Sequence, residues 1–257
     1  MKLEYLSASR IKTYRQCPLH YYANYELNVK EDPHPLTLVG SASHLMLEKA
    51  TNARIAGDLT SVDCNPLTHK RVAMEEFKVL QEYSGLIDDL MRNAEKWGYF
   101  RNVKRTVGCE VEFFIDLPDG TKVKGFIDRL DLNLPEADII DIKTQKNMFT
   151  EDELRDNWQA RIYNLAARTL YPELTGKASV SFWVLRHMVQ KVWLTSHDAE
   201  AVKEDLMAEA REIRGCKEPE ARPSALCRFC GYKGKCPNAR DNNESRKKSW
   251  RRIAARH

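Results

Sequence analysis

The order of apolar and polar positions divides the chain into helical stretches, a run of strands and a cysteine-bearing end. Ser7 or Ser9 can cap a short helix running toward Gln16, after which Cys17-Pro18 restarts the chain. Leu19 to Leu27, which carries Tyr21, Tyr22 and Tyr25, reads as a second short helix. Glu31-Asp-Pro-His-Pro35 is a breaker-rich linker. Leu45, Leu47, Ala50 and Ile55 predict a helix over about Leu38 to Ala56, ended by Gly57. A longer helix is expected over about Thr68 to Trp97, broken near Ser84-Gly85.

The period then changes. Val107, Cys109, Val111, Phe113, Ile115 and Leu117 alternate with mainly polar residues, the pattern of a half-buried strand. Pro118-Asp119-Gly120-Thr121 is a turn, with Pro presetting φ and Gly supplying φ > 0. Lys122 to Asn133 returns as a second strand and Ala137 to Thr144 makes a third. A helix is expected over about Glu151 to Leu170, then strands over about Ala178 to Arg186 and Val189 to Thr195, then a helix over about Asp198 to Arg214. Strands flanked by helices predict an α/β fold with a central mixed sheet.

Composition narrows the class. With 257 residues, 42% of them hydrophobic and 9% aromatic, the chain is not a disordered one. No apolar run approaches the ~18–20 residues of a membrane span, and no signal-peptide pattern opens the chain. A cytoplasmic, reducing setting without membrane contact is therefore expected, in which the seven cysteines are metal ligands or buried residues rather than disulfides. The net charge of +4 is unevenly spread. Arg240, Arg246, Lys247, Lys248, Arg251, Arg252 and Arg256 face only Asp241 and Glu244 in a tail that suits a polyanionic partner such as nucleic acid.

Candidate chemistry centres on the second and third strands. Asp141-Ile142-Lys143 puts a carboxylate and an ammonium on one face, with Ile140 and Ile142 on the other. If the two strands pair, Asp128 and Asp141 can converge on one divalent cation, and oxygen ligands of this kind suit Mg²⁺ or Mn²⁺. Lys143 is placed to orient a water or neutralise charge. Gln159 and Tyr163 share a helix face four residues apart, and His44 in Gly40-Ser-Ala-Ser-His44 offers an imidazole as a third ligand. Cys227-x2-Cys230-x5-Cys236 brings three thiols within reach of one centre, with Cys17 the best candidate for a fourth; spacing alone fits zinc or iron–sulfur equally. Cys64, Cys109 and Cys216 are left as buried or incidental residues.

Read in order, Gly40-x-x-x-His44, Gly125-x-x-Asp128, Asp141-x-Lys143 and Gln159-x-x-x-Tyr163 resemble the RecB-like branch of the PD-(D/E)XK nucleases, as does the opening from Ser7 to Pro18. The resemblance covers about Leu6 to Cys236. It implies a restriction-endonuclease-like core over 38–215 with a helical insertion at about 58–100. To this it adds an N-terminal lobe over 1–37, a cysteine segment over 216–240 and a basic tail over 241–257. It implies His44, Asp128, Asp141 and the backbone carbonyl of Ile142 as metal ligands, Lys143 as the catalytic lysine, and Gln159 and Tyr163 as supports of the site and DNA. Glu110 sits where these nucleases often carry an acid. Iron–sulfur members of the branch, the Cas-four nucleases among them, place one cysteine before the core and three after it. The resemblance therefore implies a [4Fe-4S] cluster on Cys17, Cys227, Cys230 and Cys236, joining the two ends of the chain.

The expected function is a metal-dependent DNA exonuclease acting on single-stranded ends, 5′→3′ favoured, in recombination, repair or CRISPR-type processing in a bacterial or phage-infected cell. A helicase or recombination partner would supply unwinding, and an oligomer is compatible. The alternative is a non-catalytic DNA-end-binding or assembly module, in which Tyr21, Tyr22 and Tyr25 stack on single strands instead of packing the first lobe.

Overall fold

The computed structural model describes residues 1–29, 33–57 and 60–238. The basic residues from Arg240 onward, and Glu31 and Asp32 of the linker, lie outside the described residues. The chain divides into two units, Pro35–Met207 and the end segments Met1–His34 with Ala208–His257.

Among the described residues, five α-helices precede the sheet. In the end unit, Ser7 caps α1 (Ala8–Gln16) by accepting from the Arg10 N–H. Cys17 then closes α1 in extended conformation and opens α2 (Pro18–Tyr25), whose first residue is proline. In the larger unit, α3 (Pro35–Ile55) is the longest helix before the strands.

The segment expected over 68–97 with a break near Ser84-Gly85 is two helices, and the break lies just before Ser84. α4 (Lys70–Glu76) ends where Lys78 takes φ +54, with Val79 N–H donating to Met74 O and Lys78 N–H to Glu75 O. That is a Schellman closure made without glycine. α5 (Ser84–Lys96) starts at Ser84, so Ser84-Gly85 begins a helix rather than breaking one.

Five strands follow: β1 (Thr106–Asp116), β2 (Lys122–Asn133), β3 (Glu136–Lys143), β4 (Ala178–Val184) and β5 (Met188–Leu194). Their order in the sheet is sequential, antiparallel except where β3 and β4 run parallel, which makes the sheet mixed. The turn into β2 forms as expected, with Gly120 at φ +79 and Leu117 N–H donating to Thr121 O at 2.8 Å. The parallel pair requires a crossover, which α6 (Glu151–Arg155) and α7 (Trp158–Leu170) supply. A single helix was expected there. Asn157 splits it by capping α7, its side chain accepting from the Gln159 and Ala160 N–H groups. α8 (Ser196–Gly215) follows β5.

Ile140 and Ile142 bury one face of β3 against α3, α4 and α5, in a core that includes Met46, Leu47, Ile87, Leu90, Met91 and Tyr99. Arg129 is buried with them, paired with Asp131 at 2.7 Å and donating to the Tyr99 carbonyl. Such a pair survives burial because its donors and acceptors are met.

Candidate active site

Gly40 governs how closely α3 approaches the sheet. A Cβ there would lie 3.2 Å from Thr144 Oγ1, just past the end of β3, so a side chain would crowd the strand. One helical turn on, His44 reaches it. Its Nε2 lies 3.0 Å from the Ile142 carbonyl oxygen and its Nδ1 lies 3.5 Å from Asp128 Oδ2. With the proton on Nε2 the ring donates to that carbonyl and turns the Nδ1 lone pair toward Asp128.

Register sets the acids. β2 and β3 pair as far as Arg129 with Ile140, and continuing that register places Asp128 opposite Asp141. There a side chain takes over a ladder bond, the Ile142 N–H donating to Asp128 Oδ2 at 2.6 Å. Across the other edge, Cys109 pairs with Arg129 and Val111 with Ile127, which sets Glu110 opposite Asp128. Gly125 makes room in the same hairpin, since a Cβ on it would meet the Phe113 ring at 2.6 Å. Glu110 itself has φ +48, a left-handed backbone inside a strand. One ligand atom from each of His44, Glu110 and Asp128 lies within 4.8 Å of the others. Like charges directly opposite one another destabilise a sheet, and a residue strained to join them points to a counter-ion.

Asp141 sits beside this group with 0% of its surface exposed. Lys143 Nζ is 2.7 Å from its Oδ2, a close ion pair with the buried carboxylate. Lys143 also donates to Gln159 Oε1 at 2.8 Å, and Gln159 Nε2 donates to the Tyr163 hydroxyl at 2.7 Å. The Asn157 cap fixes the start of α7, and hence where Gln159 and Tyr163 point. Burial pushes the Asp141 carboxyl up to about 6, with Lys143 opposing and Asp128 reinforcing. Burial and then the Asp128 charge push Glu110 up to about 7. Burial, followed by Asp141 and Asp128, raises the Tyr163 hydroxyl as well. Burial leads each shift, and the neighbouring acids add to it.

A divalent ion fits this donor set. Asp141 supplies buried oxygens, Asp128 and Glu110 supply opposed carboxylates, and His44 supplies a ring nitrogen. The structure thus gathers His44, Glu110 and Asp128 into one group and links Asp141, Lys143, Gln159 and Tyr163 into a chain beside it. Sequence reasoning missed Glu48, half-buried one turn beyond His44, whose charge also raises Glu110. The spacing His44-x-x-x-Glu48 was the available signal.

The cysteines of interest all lie in the end unit. The Arg222 N–H donates to Cys17 Sγ at 3.4 Å and the Ser224 N–H to Cys227 Sγ at 3.3 Å. Leu19 N–H donates to Glu220 O at 3.1 Å, and Tyr232, buried, donates through its hydroxyl to Ala23 O at 3.3 Å. Cys230 follows a short turn, Ala225–Phe229, and Cys236 N–H donates to Tyr232 O at 2.9 Å. Of the leftover cysteines, Cys64 is buried and Cys109 and Cys216 are half-buried. Tyr21 is wholly buried, tilted against Tyr25 and edge-on to Tyr14, so it packs the lobe rather than stacking on bases.

The family profile of the PD-(D/E)XK nuclease superfamily matches residues 5–237. Among curated proteins none matches the chain in sequence. Among solved structures, one described as a "putative exonuclease" from Eubacterium rectale superposes with a TM-score of 0.55 at 15% identity, covering 88% of each chain. The structure of SSO0001 aligns at 14% identity with a TM-score of 0.44, covering 92% of this chain and 88% of that one. Among the described residues no helix is long and apolar enough to cross a membrane.

Proposed function

The chain belongs to the PD-(D/E)XK nuclease superfamily, and from that premise we propose that it is a metal-dependent DNA exonuclease acting on single-stranded ends, with 5′→3′ polarity. The observation that carries this reading is the wholly buried carboxylate of Asp141, ion-paired with Lys143, beside the His44, Glu110 and Asp128 group. His44, Asp128, Asp141 and the Ile142 carbonyl would hold Mg²⁺ or Mn²⁺, with Glu110 completing the set. When bound, such an ion polarises a phosphoryl oxygen and lowers the pKa of an attacking water.

The chain's own residues do the rest. Lys143, held between Asp141 and Gln159, keeps its ammonium where a water or a non-bridging phosphate oxygen would approach the acids. Gln159 fixes that ammonium through its carbonyl oxygen and is itself fixed by the Tyr163 hydroxyl, so the lysine is oriented before substrate arrives. His44 orients the end of β3 through the Ile142 carbonyl.

Cys17, Cys227, Cys230 and Cys236 would hold a [4Fe-4S] cluster. Backbone N–H groups already donate to two of the sulfurs, the bonding that thiolate ligands take up around clusters. Its role here is to tie the two end segments together, and recombination, repair or CRISPR-type processing alongside a helicase is the setting this chemistry suits.

End-labelled single- and double-stranded DNA, digested with Mg²⁺ or Mn²⁺, tests the proposal. The wild type should release nucleotides progressively from the 5′ end of single strands, Asp141→Ala should release none, and Lys143→Ala should release them about 10²–10³-fold more slowly. Release by the purified Asp141→Ala chain at the wild-type rate would end the assignment, as would binding of DNA by the wild type without any metal-dependent release.

A further inference from the structure

The outer face of the β1–β2 hairpin carries large aromatic side chains that the core does not use. Phe114 is 62% exposed and Phe126 44% exposed. Glu112 pairs with Phe126 and Phe114 with Lys124, successive cross-strand pairs that share one face of the regular outer part of the hairpin at about 6.8 Å per step. The same two strands carry Glu110 and Asp128 farther along.

Its chemistry alternates ring and cation. Lys124 Nζ lies 4.6 Å from the Phe114 ring centroid and 5.7 Å from that of Phe126, and it is steadied by Glu112 at 2.9 Å. Glu112 and Lys124 carry opposite charges, and so do Asp116 and Lys122 in the last pair. A duplex offers phosphates to its surroundings and keeps its bases stacked inside, so a charge-balanced strip has little to hold it with. A single strand offers base faces, for which exposed rings are the matching surface.

Resting on the nuclease reading above, we propose that this strip is a single-strand platform: bases stack on Phe114 and Phe126 as the strand runs to the metal centre, with Lys124 against its backbone. The platform gives the enzyme its preference for unpaired DNA and fixes the path by which a phosphodiester reaches Asp128.

The test measures anisotropy of labelled oligothymidylate, and of a duplex of equal length, with the full chain in EDTA so that nothing is cut. Phe114→Ala and Phe126→Ala should each raise the single-strand Kd about tenfold and leave the duplex Kd within about twofold. Both positions are exposed, and circular dichroism melting confirms that the variants are folded. Phe→Trp at either position should restore single-strand binding, whereas Phe→Leu, apolar but without a ring, should not. Unchanged single-strand affinity in the alanine variants overturns the platform, as do equal losses for single strand and duplex. Loss of a self-associated form in sedimentation with DNA binding intact also overturns it, making the strip a contact between copies of the chain. Metal-dependent hydrolysis of bis(p-nitrophenyl) phosphate by the wild type separates the two readings. If that diester is cleaved but the rings prove irrelevant, only the platform falls; if it is not cleaved, the nuclease reading falls on its own evidence.

Discussion

Asp141 is a carboxylate sealed from solvent, and burial disfavours its charge even with Lys143 beside it. An acid whose pKa is raised on folding holds its proton more tightly in the folded chain. The stability this contributes is present at low pH and is lost as pH rises from the ordinary values of 3.8 and 4.5 through about 6 for Asp141 and about 7 for Glu110. A cation demands both groups deprotonated, so it acts most where the bare site is least stable. Scanning calorimetry should show the Mn²⁺-induced rise in melting temperature growing by on the order of 5 °C between about pH 5 and pH 8. A rise independent of pH would place the ion elsewhere. Lys143→Ala should retain Mn²⁺ binding by titration calorimetry yet lose about 10²–10³-fold in cleavage rate, since the lysine contacts Asp141 and Gln159 but lies outside the His44, Glu110 and Asp128 group.

At the scale of the element, two local departures from regularity aim the site. In β1, Glu110 holds φ +48 while the register on either side stays intact. Glycine adopts that backbone freely and alanine does not. Glu110→Gly should therefore be more stable than Glu110→Ala by about 1 kcal/mol in urea titrations, although both lose the carboxylate and weaken Mn²⁺ binding alike. Equal stabilities would mean the strand relaxes once the acid is gone. Between α6 and α7, Asn157 restarts the helix two residues before Gln159. Asn157→Ala should lower the melting temperature by about 2–4 °C, the worth of a cap of about 1 kcal/mol. It should also reduce cleavage by loosening the Gln159 hold on Lys143, and Asn157→Asp should recover both.

Over the whole molecule, the ends of the chain converge on one unit. The Cys17 corner is tied to the C-terminal segment by Arg222 and Leu19, and that segment is anchored again through Tyr232. Two of the proposed ligand sulfurs, Cys17 and Cys227, accept backbone N–H bonds within these segments. Cys17→Ser should lose bound iron and visible charge-transfer absorption in anaerobic preparations, and its end segments should become sensitive to protease. Full absorption in the serine variant would remove Cys17 from the ligand set, and zinc without iron in the wild type would replace the cluster by a tetrahedral site.

Periodicity, turns and caps are local, and they were legible. The alternation from Phe113 to Leu117, the Pro118–Thr121 turn, the Ser7 cap and the order of helices and strands all follow from neighbouring residues, whereas Val107, expected on the buried face, is exposed. So does the pairing of acid and lysine on one face of β3, because side chains two apart on a strand always share a face. The break before Ser84 was legible to within a few residues, but the one at Asn157 was not, because closures such as Lys78 and caps such as Asn157 compete with equally helical alternatives until packing chooses. Register and burial came only with the tertiary structure. It brought His44 to Ile142 across 98 residues, set Glu110 against Asp128, sealed Asp141 from water, hid Tyr21 and left Phe114 and Phe126 outside. A sequence states what each segment prefers; which segments lie opposite one another is decided by the core they bury together.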